Sequence, residues 1–228
     1  MELLGPHELA HVFAQLTDPA DIARARAVCR EWRDATNPPR IGGKLLDDIL
    51  RLAPNNILEV ACRAGSLDLA KYAVLRGADK FERGLNSACR GGHIEIAELM
   101  ISLGSTNFDW GLKGACRGGH IEIAKLMISR GATDFNEGLH SACYGGYKEL
   151  AELMISLGAA GLDAGLFGAC CGGHKEIAEL MISLGSTNFI NRLNDACYNG
   201  FADIARLIGN LAPTVSCLHC GKLGAEHI

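Results

Sequence analysis

The sequence predicts an all-α protein, a solenoid of about six helix-turn-helix repeats with a helical module ahead of it. Three observations predict it. An Ala-Cys pair recurs at intervals of 27 residues, at Cys62, Cys89, Cys116, Cys143, Cys170 and Cys197. Within each interval the apolar residues fall at helical spacing on either side of a glycine turn. Residues 3–35 stand outside the period and carry apolar stripes of their own.

Residues 57–218 divide into six copies. Copy two runs from Gly84 to Gly104, and copies three, four and five start at Gly111, Gly138 and Gly165. The first begins at Ile57 and the last at Arg192. These two diverge most, as end copies do when one face meets water. In copy two a first helix is expected from Leu85 to about Arg90, with Leu85, Ala88 and Cys89 on its buried face. Gly91-Gly92 ends it, because glycine supplies the left-handed backbone of a helix terminus. A second helix is expected from about Ile94 to Leu103. Ile96, Leu99, Met100 and Leu103 form its buried stripe, and Glu95 and Glu98 take the outer face. Gly104 stops it. Such short pairs cannot bury an apolar face alone, so neighbouring pairs must stack.

Composition narrows the function. The chain has 228 residues, 48% of them hydrophobic, and a net charge of −4. That acidity gives no footprint for nucleic acid. No apolar run approaches the roughly 18 residues of a membrane span, and Met1 to Glu8 lacks the basic start and apolar run of a signal peptide. The expected setting is the cytoplasm. There, ten cysteines are not expected to pair as disulfides. The six periodic ones read as small apolar core residues.

The run Ala88-Cys89-Arg90-Gly91-Gly92-His93-Ile94-Glu95-Ile96-Ala97-Glu98-Leu99-Met100-Ile101-Ser102 resembles the helix-turn-helix half of an ankyrin repeat. The family's Thr-Pro-Leu-His opening is replaced by Gly-Leu, and the period is 27 against about 33. The missing residues correspond to the family's projecting β-hairpin, so strand content should be near zero. Near-identical short repeats of this kind are similar to those of giant DNA viruses of amoebae, which implies a viral protein acting on its host.

The leading module has its own signature. Leu9, Val12, Phe13 and Leu16 fall on one helical stripe; Asp18-Pro19 opens a second helix carrying Ile22, Ala25, Val28, Cys29 and Trp32. The pieces Pro6-His7-Glu8-Leu9, Val12-Phe13-Ala14-Gln15-Leu16, Asp18-Pro19-Ala20-Asp21-Ile22 and Val28-Cys29-Arg30-Glu31-Trp32-Arg33 resemble an F-box, although Gly5 interrupts the family's Leu-Pro start. The resemblance implies docking on the Skp-type adaptor of an SCF ubiquitin ligase through Pro6, Leu9, Val12, Phe13, Leu16, Ile22, Val28 and Trp32. The alternative is a helical cap that seals the first repeat. The expected organisation is an F-box-like module over 1–36, a linker and bridging helix over 37–56, repeats over 57–212 and a Cys/His tail over 213–228. Within the linker, Pro38-Pro39 breaks the chain and Lys44 to Leu52 reads as one helix.

The copies act as an internal alignment. Positions that vary while the frame holds are candidates for recognition. One set is the third and fourth residue of each copy, including Asn86-Ser87, Lys113-Gly114, His140-Ser141, Phe167-Gly168 and Asn194-Asp195, with the residue after the frame cysteine: Arg90, Arg117, Tyr144, Cys171 and Tyr198. By the ankyrin resemblance these line the concave face. A second set, read as inter-repeat loop, includes Phe108, Asp109, Trp110, Phe135, Asn136 and Leu162. The expected target-binding face is Asn86, Arg90, Trp110, Lys113, Arg117, His140, Tyr144, Phe167 and Tyr198. Neutral drift on a solvated face is the alternative.

No constellation points to catalysis. His93, His120 and His174 share a slot with Ser66, Tyr147 and Phe201, which reads as a hydrogen-bonded turn position. Cys217-Leu218-His219-Cys220 has the spacing of a zinc grip, with His227 a possible third ligand. A tail with two free thiols is the alternative. The function expected is a monomeric, non-enzymatic adaptor that brings a target protein to an SCF-type ligase. A repeat scaffold that sequesters a host protein without a ligase is the second reading.

Overall fold

The computed structural model describes residues 54–75, 77–213 and 217–218. The F-box-like segment with its eight docking residues, the Lys44–Leu52 segment, Cys220 and His227 lie outside the described residues.

Among the described residues every regular element is an α-helix, and no strand occurs. The helices pair in chain order: α1 Pro54–Ala64 with α2 Leu67–Leu75, α3 Phe81–Gly91 with α4 Ile94–Ser102, α5 Phe108–Gly118 with α6 Ile121–Ser129, α7 Phe135–Gly145 with α8 Lys148–Ser156, α9 Leu162–Gly172 with α10 Lys175–Ser183, and α11 Phe189–Tyr198 with α12 Ala202–Leu211. The chain divides into two compact units between Asn107 and Phe108. The first holds copies one and two, the second copies three to six.

Within the first unit α1 packs on α3, and each first helix on its own second helix. Within the second unit α5, α7, α9 and α11 pack in series, each carrying its second helix. Leu85, Ala88 and Cys89 of α3 are fully buried, as are Leu139, Ala142 and Cys143 of α7. On the second helices the buried stripe is Ile96, Ala97 and Met100 and its counterparts. Leu99 and Leu103 are only half-buried, a narrower stripe than the spacing suggests. Cys62, Cys89, Cys116, Cys143 and Cys170 are buried, but Cys197 of the last copy is half-exposed. No helix follows α12 among the described residues to cover it.

The first helices start earlier than expected, at Phe81 rather than Leu85 in copy two. Gly84 looked like a boundary because glycine is a poor helix former. Packing decides instead. A Cβ on Gly84 would sit 2.6 Å from Met100 Sδ, and one on Gly138 or Gly165 2.7 Å from Met154 or Met181 Sδ. The glycine makes room for the methionine of its own second helix. The end copies change both members together: Ile57 with Ala73, and Arg192 with Ile208.

Each turn between the helices of a pair uses its glycines differently. Gly92, Gly146 and Gly173 adopt the left-handed conformation at φ 84°, 87° and 81° and close the first helix. Their neighbours Gly91, Gly145 and Gly172 lie against the backbone of the preceding copy, where a Cβ would strike the carbonyl of Arg63, Arg117 or Tyr144.

Successive copies are also tied by a side-chain ladder that the sequence reading missed. The second residue of the first helix accepts hydrogen bonds from the loop one copy on. Asn55 Oδ1 accepts from the amides of Asp79 and Lys80 at 2.9 and 3.1 Å. Glu82 accepts from Thr106, Asn107 and the Ser105 hydroxyl. Asp109 accepts from Thr133 and Asp134, and Asn136 from Ala160 and Gly161. Asp163 accepts from Thr187, Asn188 and the Ser186 hydroxyl. The ladder satisfies loop amides that have no strand partner. Ile190 holds the equivalent place in the last copy and cannot accept. There Asn194, one helical turn later, takes the amide of Leu218 at 2.7 Å.

Burial opposes ionisation of Glu82, but the bonds from Thr106, Ser105 and Asn107 outweigh it and hold the carboxyl below its usual range. At Asp163 the Ser186 hydroxyl and then the Thr187 amide lower the carboxyl. A group depressed on folding adds stability above its unfolded pKa and loses it as pH falls through the folded pKa. Asp163→Ala should therefore cost about 1 kcal/mol at pH 7 and flatten the acid limb of the stability profile. Asp163→Asn should keep the ladder, as Asn55 and Asn136 do, and flatten the acid limb alone. Urea unfolding across pH 2–7 checks both.

Candidate interaction surface

The first helices of the second unit bring the variable positions into one row of contacts. Lys113 Nζ on α5 lies 2.7 Å from Glu137 Oε1 on α7. The Arg117 guanidinium sits over the Tyr144 ring, 4.3 Å from its centroid. His140 stacks on Phe167 of α9 at 5.6 Å and 24°. Arg192 of α11 covers the same Phe167 ring at 4.4 Å. Arg192 Nε also lies 3.2 Å from Asp195 Oδ2, but neither atom makes an aligned hydrogen bond. That contact is charge pairing.

Five of the expected face residues, Lys113, Arg117, His140, Tyr144 and Phe167, are thus assembled. Tyr198 is on the last first helix and 75% exposed. Asn86 and Arg90 are on α3 of the first unit, Asn86 half-buried and Arg90 exposed. Glu137 and Arg192 belong to the row but were missed. Arg192 had a signal, since it replaces the frame glycine of copies two to five.

Two expectations about variable positions are corrected. Ser87, Gly114, Ser141 and Gly168 are buried, not displayed. They vary only among small residues because the adjacent helix backbone is close: a Cβ on Gly168 would lie 2.5 Å from the His140 carbonyl oxygen. The set read as inter-repeat loop, Phe108, Asp109, Trp110, Phe135, Asn136 and Leu162, forms the first turn of α5, α7 and α9. Asp109 and Asn136 are ladder acceptors, and Trp110 is half-buried. At Asp109 and Asn136 the variation is an exchange between equivalent acceptors.

The arrangement suits binding more than bond-making. Burial pushes the Cys62, Cys89, Cys116 and Cys143 thiols up to about 12, so they stay protonated and weakly nucleophilic. Burial foremost, then Lys113, Arg117 and Arg192, lowers the His140 pKa against the opposing pull of Glu137. His93 and His174 donate from Nε2 to the carbonyls of Arg63 and Tyr144, at 3.0 and 3.1 Å, and lie over the turn glycines. Tyr147 and Phe201 fill the same place by packing. Cys217 is fully buried, and no group of three metal-ligating side chains occurs among the described residues.

The comparisons agree with the two-part reading. Residues 6–41 match the F-box-like family. The repeats are similar to the crystal structure of the human ASB11 ankyrin repeat domain, at 19% identity and a TM-score of 0.52, over 73% of this chain and 89% of that one. The fold is that of an ankyrin repeat domain. No curated protein matches the chain. The period here is 27 residues, and among the described residues the acceptor ladder ties successive copies without any strand.

Proposed function

We propose that this ankyrin-type chain is a non-catalytic adaptor of an SCF-type ubiquitin ligase. The F-box-like segment would dock on a Skp-type adaptor through Pro6, Leu9, Val12, Phe13, Leu16, Ile22, Val28 and Trp32. The repeats would hold a target protein and raise its effective concentration near the ligase. The observation that carries the reading is an F-box-like match at 6–41 in one chain with ankyrin-type repeats. The implied setting is cytoplasmic or nuclear, where thiols stay reduced.

Calorimetry of the full chain with a purified Skp-type adaptor tests it. Binding should be sub-micromolar, of the order of −8 kcal/mol or better. Val12→Asp or Trp32→Ala should weaken it at least about 100-fold, since aromatic and apolar anchors dominate such contacts. The helical circular dichroism of the repeats should not change. A folded chain that ignores the adaptor would reject the ligase link and leave a repeat scaffold that sequesters its partner.

A further inference from the structure

We infer that the first-helix face of the second unit captures an acidic peptide segment, with a carboxylate on Arg117 and an adjoining apolar side chain against Tyr144 and Phe167. The inference rests on the proposed target-holding role and names the chemistry of the target.

Lys113 is already matched by Glu137 at 2.7 Å, and Arg192 by Asp195 at 3.2 Å. Arg117 has no carboxylate within ion-pair distance among the described residues. Its guanidinium carbon lies over the Tyr144 ring, 4.3 Å from the centroid, and its Nε is buried without a hydrogen-bond partner. A guanidinium stacked on a ring keeps its in-plane N–H edge for a planar two-oxygen acceptor. The Tyr144 ring also shields one face from water, which strengthens any charge pairing at the other groups. A carboxylate supplied by a partner would pair with the terminal nitrogens of the guanidinium, not with the buried Nε.

The apolar half of the recognition is beside it. Tyr144 and Phe167 are 36% and 38% exposed although they are large and apolar. Neither is loose: Arg117 lies over one ring, and His140 and Arg192 pack on the other. Rigid aromatic surface with little entropy left to lose is a favourable contact for a partner side chain. The net charge of −4 would by itself favour basic ligands. Selection of an acidic segment would therefore report this local arrangement and not bulk electrostatics.

A phage-displayed random peptide library panned on the immobilised full chain provides the probe. The enriched peptides should carry Asp or Glu within a few positions of an aromatic or aliphatic residue. A synthetic peptide of the winning sequence, followed by fluorescence anisotropy, should bind Arg117→Glu at least about ten-fold more weakly. Lys125→Glu, on the exposed side of a second helix and paired with Glu122, should bind as the parent does. Basic or neutral winners, no enrichment, or affinity indifferent to Arg117→Glu would overturn the inference. Skp-type adaptor binding, measured on the same Arg117→Glu chain, separates this from the ligase reading. It should be retained, and its absence in the parent would reject the ligase role while leaving the peptide result intact.

Discussion

Leu139→Ala should lower the stability of the chain by about 3–4 kcal/mol. Leu139 lies on α7, between the neighbouring first helices α5 and α9, and is fully buried. Its removal loses the transfer free energy of the side chain and leaves a cavity. The surroundings collapse poorly, because Ala142 and Cys143 on the same face are already small and fully buried. A solenoid passes this loss to both neighbours, since each copy is stable only through its interfaces. Leu157→Ala is the matched control. Leu157 is the C-cap residue after α8 and is 38% exposed, so its truncation should cost less than about 1 kcal/mol. Urea unfolding followed by circular dichroism measures both. Equal losses at the two sites would contradict the placement of Leu139 in the core and Leu157 at the surface.

Gly172→Ala should destabilise by about 2 kcal/mol although it adds only one methyl group. The added Cβ would collide with the Tyr144 carbonyl oxygen, a backbone atom, and with His174 Cδ2 at 2.7 Å. Moving α9 away from α7 to relieve the collision would also stretch the 3.1 Å bond from His174 to that carbonyl. The gain in helix propensity, up to about 1 kcal/mol inside a helix, is smaller at its last residue. Gly158→Ala separates contact from conformation. Gly158 has φ 101° but nothing within 4 Å of its Cβ position. Its cost should be about 1 kcal/mol of backbone strain alone. Thermal unfolding of the two variants tests the difference. Equal costs would mean that the glycine pairs serve turn geometry and not the close approach of copies.

Much of this fold was legible in the sequence because the repeat supplies its own alignment. The 27-residue recurrence of Ala-Cys, the turn glycines and the stripe at Ile96 and Met100 place the helix pairs without reference to any other protein. The helix starts were not legible. Gly84 breaks a propensity-based helix, and only the space needed by Met100 explains why the helix runs through it. The ladder was legible in principle. Positions 55, 82, 109, 136 and 163 are Asn, Glu, Asp, Asn and Asp, always an acceptor though never one residue type. Identity across copies hid what chemistry preserved.

The surface was legible in part. Variation among copies picked out Lys113, Arg117, His140, Tyr144 and Phe167, which the structure brings into contact. Variation also picked out Ser141 and Gly168, where the cause is helix packing, and Asp109 and Asn136, where it is exchange between equivalent acceptors. Spacing cannot distinguish a position free to vary from one that varies under a size limit. The pairing of Arg192 with Phe167 joins the last copy to its neighbour, and no single-copy pattern contains it.

The adaptor reading is tested most directly by asking whether one chain engages two partners at once. A Skp-type adaptor and a labelled peptide selected on the repeats would be mixed with the full chain and resolved by size-exclusion chromatography. A single species holding all three components is expected, with the peptide affinity the same in the presence and absence of the adaptor. Displacement of the peptide by the adaptor, or elution of the adaptor alone at its free volume, would contradict it.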